Sequence, residues 1–464
     1  LDHAVWGMDP FGFHLTNLLG HGASSGVVFL LSLRLLGPGP ANWNRLAAAA
    51  FAALLFGVHP LRAESVAWVS ERRDVLSVFF YLLCVHLYLP AAAEESRGWR
   101  RFAGSFAAFS LSLLAKGMAV TAPAVLLLLD VYPLGRLRLS WTGLSGRQGR
   151  AVLLEKLPFL AAGLVVGAVG WVGQLSVNTT MTVVSFGWVQ RLMQAFYGAA
   201  FYVRKTLLPL DLSPLYLHPS ADPFAAPYLT SAAAALGLTG LFVALRRRWP
   251  AGLACWAVYL AVLFPVIGFM PFGPQIAADR YSYAACVPWA LLAGAGLLRV
   301  LEQGGALRAW ALAGAALLAG VLGGLAWNQT KVWRSSETLW RQALAVRENH
   351  PVAHTNLGVI LSGAGRLGEA LGHLSRAVEL APSDPMVRNN LGCALASAGR
   401  LSEAEQEFRA SLRIRPSHAE ARRNLERVLA LSAREGVRGS GPAPGPGIRP
   451  AAPAPLRSRP RTRS

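Results

Sequence analysis

Long apolar runs dominate the first 330 residues and constrain the fold more than any other feature of the sequence. A helix needs roughly 20 apolar residues to cross the hydrocarbon core of a bilayer, and several of the runs are shorter. We therefore expect some tilted, broken or re-entrant helices buried among longer ones. The prediction is an all-α, polytopic membrane helix bundle over residues 1–330. The runs lie at about 14–36, 44–58, 75–91, 101–115, 117–131, 155–173, 190–208, 228–245, 251–268, 282–299 and 306–326.

The composition supports a membrane protein and excludes an ordinary soluble domain. Hydrophobic residues make up 53% of the 464 residues and charged residues only 15%, whereas soluble chains carry about 25% charged residues. The 44 basic residues nevertheless outnumber the 24 acidic ones, as expected where Arg-rich loops collect on one side of a membrane. A nucleic-acid-binding chain should be polar as well as basic, so no nucleic-acid partner is expected.

Familiar metal, disulfide and nucleotide motifs do not occur in the sequence. The four cysteines are dispersed and form no CxxC or Cys/His spacing, so neither a structural zinc site nor a disulfide framework is expected. No Walker loop or HExxH motif is found, and nucleotide-driven transport has no support within the chain. The sequence also offers no ligand set for a divalent metal.

The Arg-rich connections predict the orientation of the helices. They all fall on the cytoplasmic side only if one of the eleven runs fails to span, and run 190–208, with Arg191, Arg204 and Lys205, is the weakest. The segments around Glu64 and Lys116, and everything after residue 330, then face the non-cytoplasmic side. If all eleven runs span, the C-terminal domain is cytoplasmic instead.

Two segments, 351–384 and 385–418, repeat at a spacing of 34 residues, which is the tetratricopeptide period. Gly358 and Gly392 recur where small residues let the two helices of a repeat approach closely. A partial repeat precedes them at 336–346, and a cap helix follows from 419 to about 434. We predict an α-solenoid over residues 331–435, followed by a disordered, basic, Pro- and Gly-rich tail at 436–464.

Three asparagines, Asn356, Asn390 and Asn424, recur at the same 34-residue spacing. Stacked repeats would align them in a row, and an Asn amide can donate to and accept from a peptide backbone. The row could therefore hold an extended acceptor peptide without reading its sequence. The alternative is that the three amides only face water.

The densest polar cluster outside the repeats lies at 59–75, between two apolar runs. If its middle is helical, Glu64 and Glu71 share one face about two turns apart, and Asp74 lies where the next membrane helix begins. Ionisable groups at membrane depth are costly and usually functional. The alternative is an interfacial loop whose arginines touch lipid headgroups and whose carboxylates pair with them.

Further polar groups fall on the same predicted face: Lys116 between two apolar runs, the segment 279–283, and His14 and His21 near the outer end of the first helix. A fixed cation at a membrane surface can grip a lipid phosphate. Each signal alone is weak, because a single Lys or Arg at a helix end is commonly a snorkelling anchor. Together they outline a polar cavity that opens at the interface.

The order of several motifs resembles the transmembrane and tetratricopeptide-repeat-containing O-mannosyltransferases and their bacterial relatives, which are GT-C glycosyltransferases. The resemblance extends over nearly all of residues 1–430 and implies that a first helix and a first outer loop, which usually supplies the catalytic base, precede this N-terminally truncated sequence. The motifs are DPFGFHLTNLLGH (9–21), HPLRAESVAWVSERRDVLS (59–77), LLAKGMAVTAP (113–123), KTLLPLDLSPLY (205–216) and ADRYSY (278–283), followed by the repeats.

The resemblance implies transfer of a sugar, mannose in this family, from a polyprenyl-phosphate donor to Ser or Thr hydroxyls of proteins on the non-cytoplasmic face. It implies supporting catalytic roles for Glu64 and Asp74. The resemblance also implies that the lipid phosphate and the rest of the donor are bound by Arg73, Lys116, Arg280, Tyr281 and His59. The repeats would bind acceptor or partner proteins, and a divalent metal is compatible with the class. The membrane would be the inner or plasma membrane of a bacterium, or the endoplasmic reticulum of a eukaryote.

Two other functions stay open on the sequence. One is a catalytically inactive, membrane-anchored scaffold whose repeats bind partner proteins, and the other is a carrier or flippase for a lipid-linked sugar. A pure anchor has no need of charges at Arg73, Asp74 or Lys116, and a flippase should carry polar groups at mid-membrane, where few are seen. The clustering of ionisable residues on one face therefore favours the enzyme.

Overall fold

The structure is a computed structural model that describes residues 2–37, 39–93, 98–176, 187–269 and 275–437. It divides into two compact units, Leu1–Thr330 and Lys331–Ser464. Of the predicted tail, residues 438–464 lie outside the described residues.

The first unit is built from helices, which confirms the predicted fold class. In the described residues its regular β structure is one short antiparallel pair, β1 (Tyr216–Leu217) with β2 (Gln275–Ala277). The helices are α1 (Asp2–Trp6), α2 (Pro10–Leu35), α3 (Trp43–Gly57), α4 (Ala63–Ala67), α5 (Arg72–Ala93), α6 (Gly98–Ala115), α7 (Ala122–Val131), α8 (Trp141–Ser145), α9 (Arg147–Glu155), α10 (Leu157–Ser176), α11 (Trp188–Leu207), α12 (Ala226–Ala244), α13 (Pro250–Leu263), α14 (Ser282–Ala285), α15 (Val287–Leu301) and α16 (Gly305–Val332).

Within the described ranges, five helical stretches are long and apolar enough to cross a membrane. Two bent pairs, with bends of 51° and 52°, raise this number to seven if each pair is one span, and two shorter apolar helices accompany them. The bends agree with the expectation of broken helices. The run at 190–208 forms α11, which is outside this set. The five stretches are Pro10–Leu35, Val69–Pro90, Arg147–Gly170, Ala226–Ala244 and Gly305–Val332.

Serine side chains join α5 to α6 in the interior of the first unit. The Ser112 hydroxyl donates to the Ser77 carbonyl at 2.6 Å, and the Ser77 hydroxyl donates to the Ser112 carbonyl at 3.1 Å. About two helical turns away, the Ser105 hydroxyl donates to the Cys84 carbonyl at 2.9 Å. Small polar residues of this kind allow close approach and hydrogen bonding between helices in membranes. They fix α5, whose first turn carries Asp74, against the end of α6, which leads into Lys116.

The second unit contains the predicted helix pairs. The partial repeat is one helix with the predicted bounds, the two full repeats are helix pairs, and the cap helix runs a little past its predicted end. A Cβ on Gly358 would lie 2.6 Å from Leu374 Cγ, and one on Gly392 would lie 2.7 Å from Phe408 Cε1, so the two helices of each repeat approach closely at these small residues, as predicted. The helices are α17 (Ser336–Val346), α18 (Pro351–Gly363), α19 (Leu367–Leu380), α20 (Pro385–Ser397), α21 (Leu401–Ile414) and α22 (Ala419–Val437).

Candidate active site

The polar segment 59–75 folds into short turns because side chains of α2 hold its backbone. The Asn17 amide nitrogen donates to the carbonyl of Val66 at 3.1 Å, next to Trp68, whose extended backbone ends α4. Arg72 donates to Asn17 Oδ1 at 3.0 Å and to the Phe13 carbonyl at 2.6 Å. Buried backbone carbonyls need such partners, so α2 places the carboxylates on either side of the break.

Glu64 binds Arg280 in two ways. The backbone nitrogen of Arg280 donates to Glu64 Oε2 at 2.8 Å, and its guanidinium forms an ion pair with Glu64 Oε1. Both side chains are largely buried, and charge-assisted contacts of this kind are the strong hydrogen bonds. Glu64 therefore orients Arg280 and is itself fully engaged.

Glu71 joins the cations at the centre of the cluster. Its Oε1 lies 3.1 Å from the guanidinium of Arg73 and 3.9 Å from that of Arg280, and its Oε2 lies 3.4 Å from Lys116 Nζ. Lys116 also forms an ion pair with Asp74. The sequence places Glu71 in the polar segment but does not predict a role for it. Its position between three cations makes it the organising carboxylate.

The structure thus brings five of the predicted residues, Glu64, Asp74, Arg73, Lys116 and Arg280, into one cluster with Glu71. Three carboxylates face three cations, so the cluster balances its own charge. Arg73 differs from the other members of the cluster because its side chain is 53% exposed. A ligand anion could reach it without first displacing a carboxylate.

Aromatic rings cover the Arg280 guanidinium. It lies 5.0 Å from the ring centre of Tyr281 and 5.6 Å from that of Trp68, and such cation–π contacts favour the charged form. Tyr281 therefore joins the cluster as predicted. Trp68 was not predicted, and nothing in its sequence spacing identified it.

His59 lies apart from the cluster in a backbone-holding position. Its Nε2 is 3.0 Å from the Thr206 carbonyl, and its Nδ1 accepts from the Leu61 backbone nitrogen at 3.3 Å. Both ring nitrogens are thus engaged in joining the segment 60–62 to the end of α11. This arrangement corrects the expectation that His59 presents a ring nitrogen to a phosphate, since none is left for it.

Asp279, next to Arg280, is held by the short β pair. The Tyr216 hydroxyl, on β1, donates to Asp279 Oδ1 at 2.9 Å and accepts from the Ser213 backbone nitrogen at 2.9 Å. Burial and the nearby Asp279 charge raise the pKa of Tyr216 well above its usual value, so the hydroxyl stays a donor. The hydrogen bond between Tyr216 and Asp279 fixes the turn that contains Arg280 and Tyr281.

Two cavities meet beside the cluster. A small pocket, called here the polar pocket for its ionisable residues Asp74, Lys116, Arg280 and Tyr281, is otherwise lined mainly by apolar surface. An apolar cavity of about 170 Å³ lies among α2, α5, α7, α13 and α15. Three residues, Tyr81, Val262 and Ala284, line both. Charged groups beside an apolar cavity match the chemistry of a molecule with a charged head and an apolar chain.

The three asparagines of the repeats are buried. The Asn356 amide donates to the Val352 carbonyl at 2.8 Å, and the Asn424 amide donates to Asn389 Oδ1 at 3.1 Å. In the described part of the chain, the side-chain oxygens of Asn356 and Asn390 have no hydrogen-bond partner. The alternative that these amides only face water does not fit their burial.

A divalent metal finds no support among the described residues. They contain no group of three or more His, Cys, Asp or Glu side chains placed to hold one ion. The carboxylates nearest the polar pocket are instead occupied by Arg73, Lys116 and Arg280.

Comparison with known proteins identifies the repeats and a set of relatives. The tetratricopeptide repeat family model matches residues 321–385 and 355–419. Protein O-mannosyl-transferase TMTC2 of Homo sapiens is 34% identical over 142 residues, which is 30% of this chain and 16% of that protein. Protein O-mannosyl-transferases Tmtc1 and Tmtc3 of Drosophila melanogaster are 27% and 24% identical and align with 80% and 82% of this chain.

These alignments cover only part of the relatives. The chain spans 52% of the length of Tmtc1 and 47% of that of Tmtc3. An alignment with 80% of this chain nevertheless has to include most of the first unit, and the family model matches the repeats, so the comparisons confirm the resemblance that the motifs imply. The chain is a tetratricopeptide-repeat-containing relative of the proteins named protein O-mannosyl-transferases.

Proposed function

We propose that the protein is an integral-membrane glycosyltransferase of the GT-C type. It moves a sugar, mannose by analogy with its relatives, from a polyprenyl-phosphate donor to Ser or Thr hydroxyls of proteins. The reaction takes place on the non-cytoplasmic face, where the repeats bind the acceptor or a partner protein. The names of the relatives support the reaction class, and the apolar helices support the membrane location.

The observation that carries the proposal is the wall shared by the polar pocket and the apolar cavity. The pocket presents Lys116 and Arg280, and the cavity beyond Tyr81 is lined almost wholly by aliphatic side chains. A nucleotide sugar would bring a polar base and ribose, for which this cavity offers few hydrogen-bond partners. A phosphate joined to an isoprenoid chain matches both halves.

The balanced charge of the cluster suggests how the donor binds. The donor phosphate first meets the exposed Arg73 and then replaces Asp74 as the partner of Lys116. Cations placed at a departing phosphate stabilise the charge that develops on it. In the same exchange Asp74 loses its partner and becomes able to accept a proton.

The transfer itself is a direct displacement. The acceptor hydroxyl oxygen forms a bond to the anomeric carbon, the bond from that carbon to the phosphate oxygen breaks, and the phosphate keeps the electron pair. The hydroxyl proton passes to a carboxylate, and among the described residues Asp74 is the candidate. Glu64 serves by positioning Arg280.

The repeats are proposed to present the acceptor. Asn356 and Asn390 each have a side-chain oxygen without a partner among the described residues, and the cost of such buried acceptors is relieved when a donor arrives. A peptide backbone N–H is the matching donor. Because both side chains are buried, we expect the residues that cover them on α18 and α20 to move aside when the peptide binds.

The test is mannose transfer from a polyprenyl-phosphate donor to a Ser/Thr-containing acceptor protein by the full-length protein in lipid nanodiscs. Transfer that falls in Asp74→Asn and Lys116→Gln, but not in the exposed control Glu426→Gln, supports the proposal. Absence of transfer, together with retention of a partner protein by the repeats, would favour the inactive scaffold instead.

A further inference from the structure

The connection between α7 and α10 carries an unusual distribution of charge. Between residues 131 and 154 it has four arginines and no Asp or Glu. It folds back on itself through α8 and α9, and the Ser140 hydroxyl caps α8 by accepting from the Gly143 backbone nitrogen at 3.1 Å. The arginines are therefore displayed on a folded segment.

A buried ion network anchors this connection. Asp130 accepts from the Tyr88 hydroxyl at 2.6 Å and lies 2.7 Å from Lys156 Nζ. Arg136 donates to Asp130 Oδ1 at 2.9 Å and to both carboxylate oxygens of Glu155 at 2.8 and 3.0 Å. Asp130 and Lys156 are fully buried, so breaking any one pair would strand a charge. The network fixes both ends of the connection.

The carboxylates near the connection are already paired within this network. Asp130 and Glu155 flank the connection, and both are paired with Arg136 and Lys156. Arg138, Arg147 and Arg150 are exposed, and none of them forms an ion pair with a described residue. Three positive charges thus stay without a counter-charge on this surface.

Bulky apolar side chains are exposed beside these arginines. Trp141 is 84% exposed, Leu139 75% and Leu154 62%. α9 continues directly toward α10 within the stretch Arg147–Gly170, which is long and apolar enough to cross a membrane. Trp with Arg at the end of such a stretch is the pattern of the headgroup region, where apolar rings enter the lipid and cations stay at the phosphates.

We propose that the connection 138–154, called here the basic hook, binds the headgroups of anionic phospholipids in the leaflet at this end of the bundle. Arg138, Arg147 and Arg150 bind the lipid phosphates, and Leu139, Trp141 and Leu154 insert beside the acyl chains. The lack of any acidic side chain on the hook disfavours a basic partner, and the continuity with a membrane stretch favours a lipid over an acidic protein. This site is independent of the transfer reaction.

The test places the full-length protein in nanodiscs of phosphatidylcholine with an equal share of phosphatidylglycerol, and only one of the two lipids is brominated. Bromine on the acyl chains quenches nearby tryptophan, and a Trp141→Phe variant isolates the emission of Trp141. We expect brominated phosphatidylglycerol to quench Trp141 more than brominated phosphatidylcholine. Each arginine removed should lower this local enrichment by about fivefold.

A matched pair of variants completes the experiment. Arg138, Arg147 and Arg150 are changed together to Gln, and as a control Arg413, Arg423 and Arg427, exposed in the repeats, are changed in the same way. The preference should disappear in the first variant and persist in the second. Equal quenching by the two lipids, or a preference that survives in the hook variant, would overturn the proposal. Quenching of Trp141 by neither lipid would also overturn it and indicate a protein partner.

Discussion

Glu64 and Arg280 are separated by 216 positions in the chain, yet Arg280 donates to Glu64 from both its backbone nitrogen and its guanidinium. This double contact fixes the side chain of Arg280 and the turn on which it stands. The pair joins the segment after α3 to the segment before α14. The pair thereby holds Arg280 in the lining of the polar pocket.

Removal of one member of this pair should therefore damage both stability and donor binding. Glu64→Gln leaves the largely buried Arg280 with only Glu71, 3.9 Å away, as a counter-charge, and losses of up to about 3–5 kcal/mol are typical when a buried pair is broken. Thermal unfolding of the full chain in detergent measures the effect, with the exposed Glu426→Gln as the control. A Glu64→Gln variant as stable as the control would show that the pair contributes little.

Asp74→Asn should lower the turnover number for mannose transfer by about 100-fold or more, since carboxylates that take part in proton transfer typically contribute that much. Lys116→Gln should instead raise the KM for the polyprenyl-phosphate donor, because it removes a cation that the phosphate needs. Steady-state kinetics with varied donor separates the two effects. Identical changes in both variants would mean that the Asp74–Lys116 pair acts only as a structural unit.

The two glycines of the repeats provide a prediction about packing. Gly358→Ala should destabilise the repeats by about 1–3 kcal/mol, the usual cost of overpacking, because the new methyl group would meet Leu374. Gly363→Ala in the same helix has open space around its Cβ and should be neutral or stabilising, since alanine favours helices. Hydrogen exchange of α18 and α19 in the full chain compares them. Equal protection in both variants would contradict the close approach.

The repeats should lose stability in mild acid. His354 Nδ1 lies 2.9 Å from His373 Nδ1, and His354 Nε2 lies 3.0 Å from the Glu348 carbonyl, so the pair has room for one proton between the rings. Burial lowers the pKa of both histidines, with nearby Arg376 and Arg341 adding to the effect. The folded state thus binds fewer protons than the unfolded state, and the stability present above the ordinary pKa of 6.5 is lost as the pH falls below it.

Hydrogen exchange of α18 and α19 in the full chain at about pH 7.5 and about pH 5.5 measures this loss, since a histidine titrates between these values. The double variant His354→Gln/His373→Gln should show a smaller pH effect than the parent, whereas the exposed control His14→Gln should not differ from it. A pH effect of the same size in all three would refute a role for the pair.

The sequence predicted the fold class and the repeats because periodicity and apolar run length are local properties. The 34-residue period even identified Gly358 and Gly392 as contact positions. Pairing across the bundle is not a local property, and so the central position of Glu71 and the burial of Lys156 against Asp130 had no signal. His59 shows the same limit, since its position in a polar motif suggested a ligand, whereas its partners are the backbone groups of Leu61 and Thr206.

Photolabelling with a polyprenyl phosphate that carries a diazirine on its chain tests most directly whether the donor occupies the apolar cavity. We expect labelled peptides from the cavity lining, including Tyr81, Val258 and Leu291, and loss of this label in Lys116→Gln but not in Glu426→Gln. Labelling confined to the exposed surface of α16, or labelling of the cavity that does not depend on Lys116, would contradict this expectation.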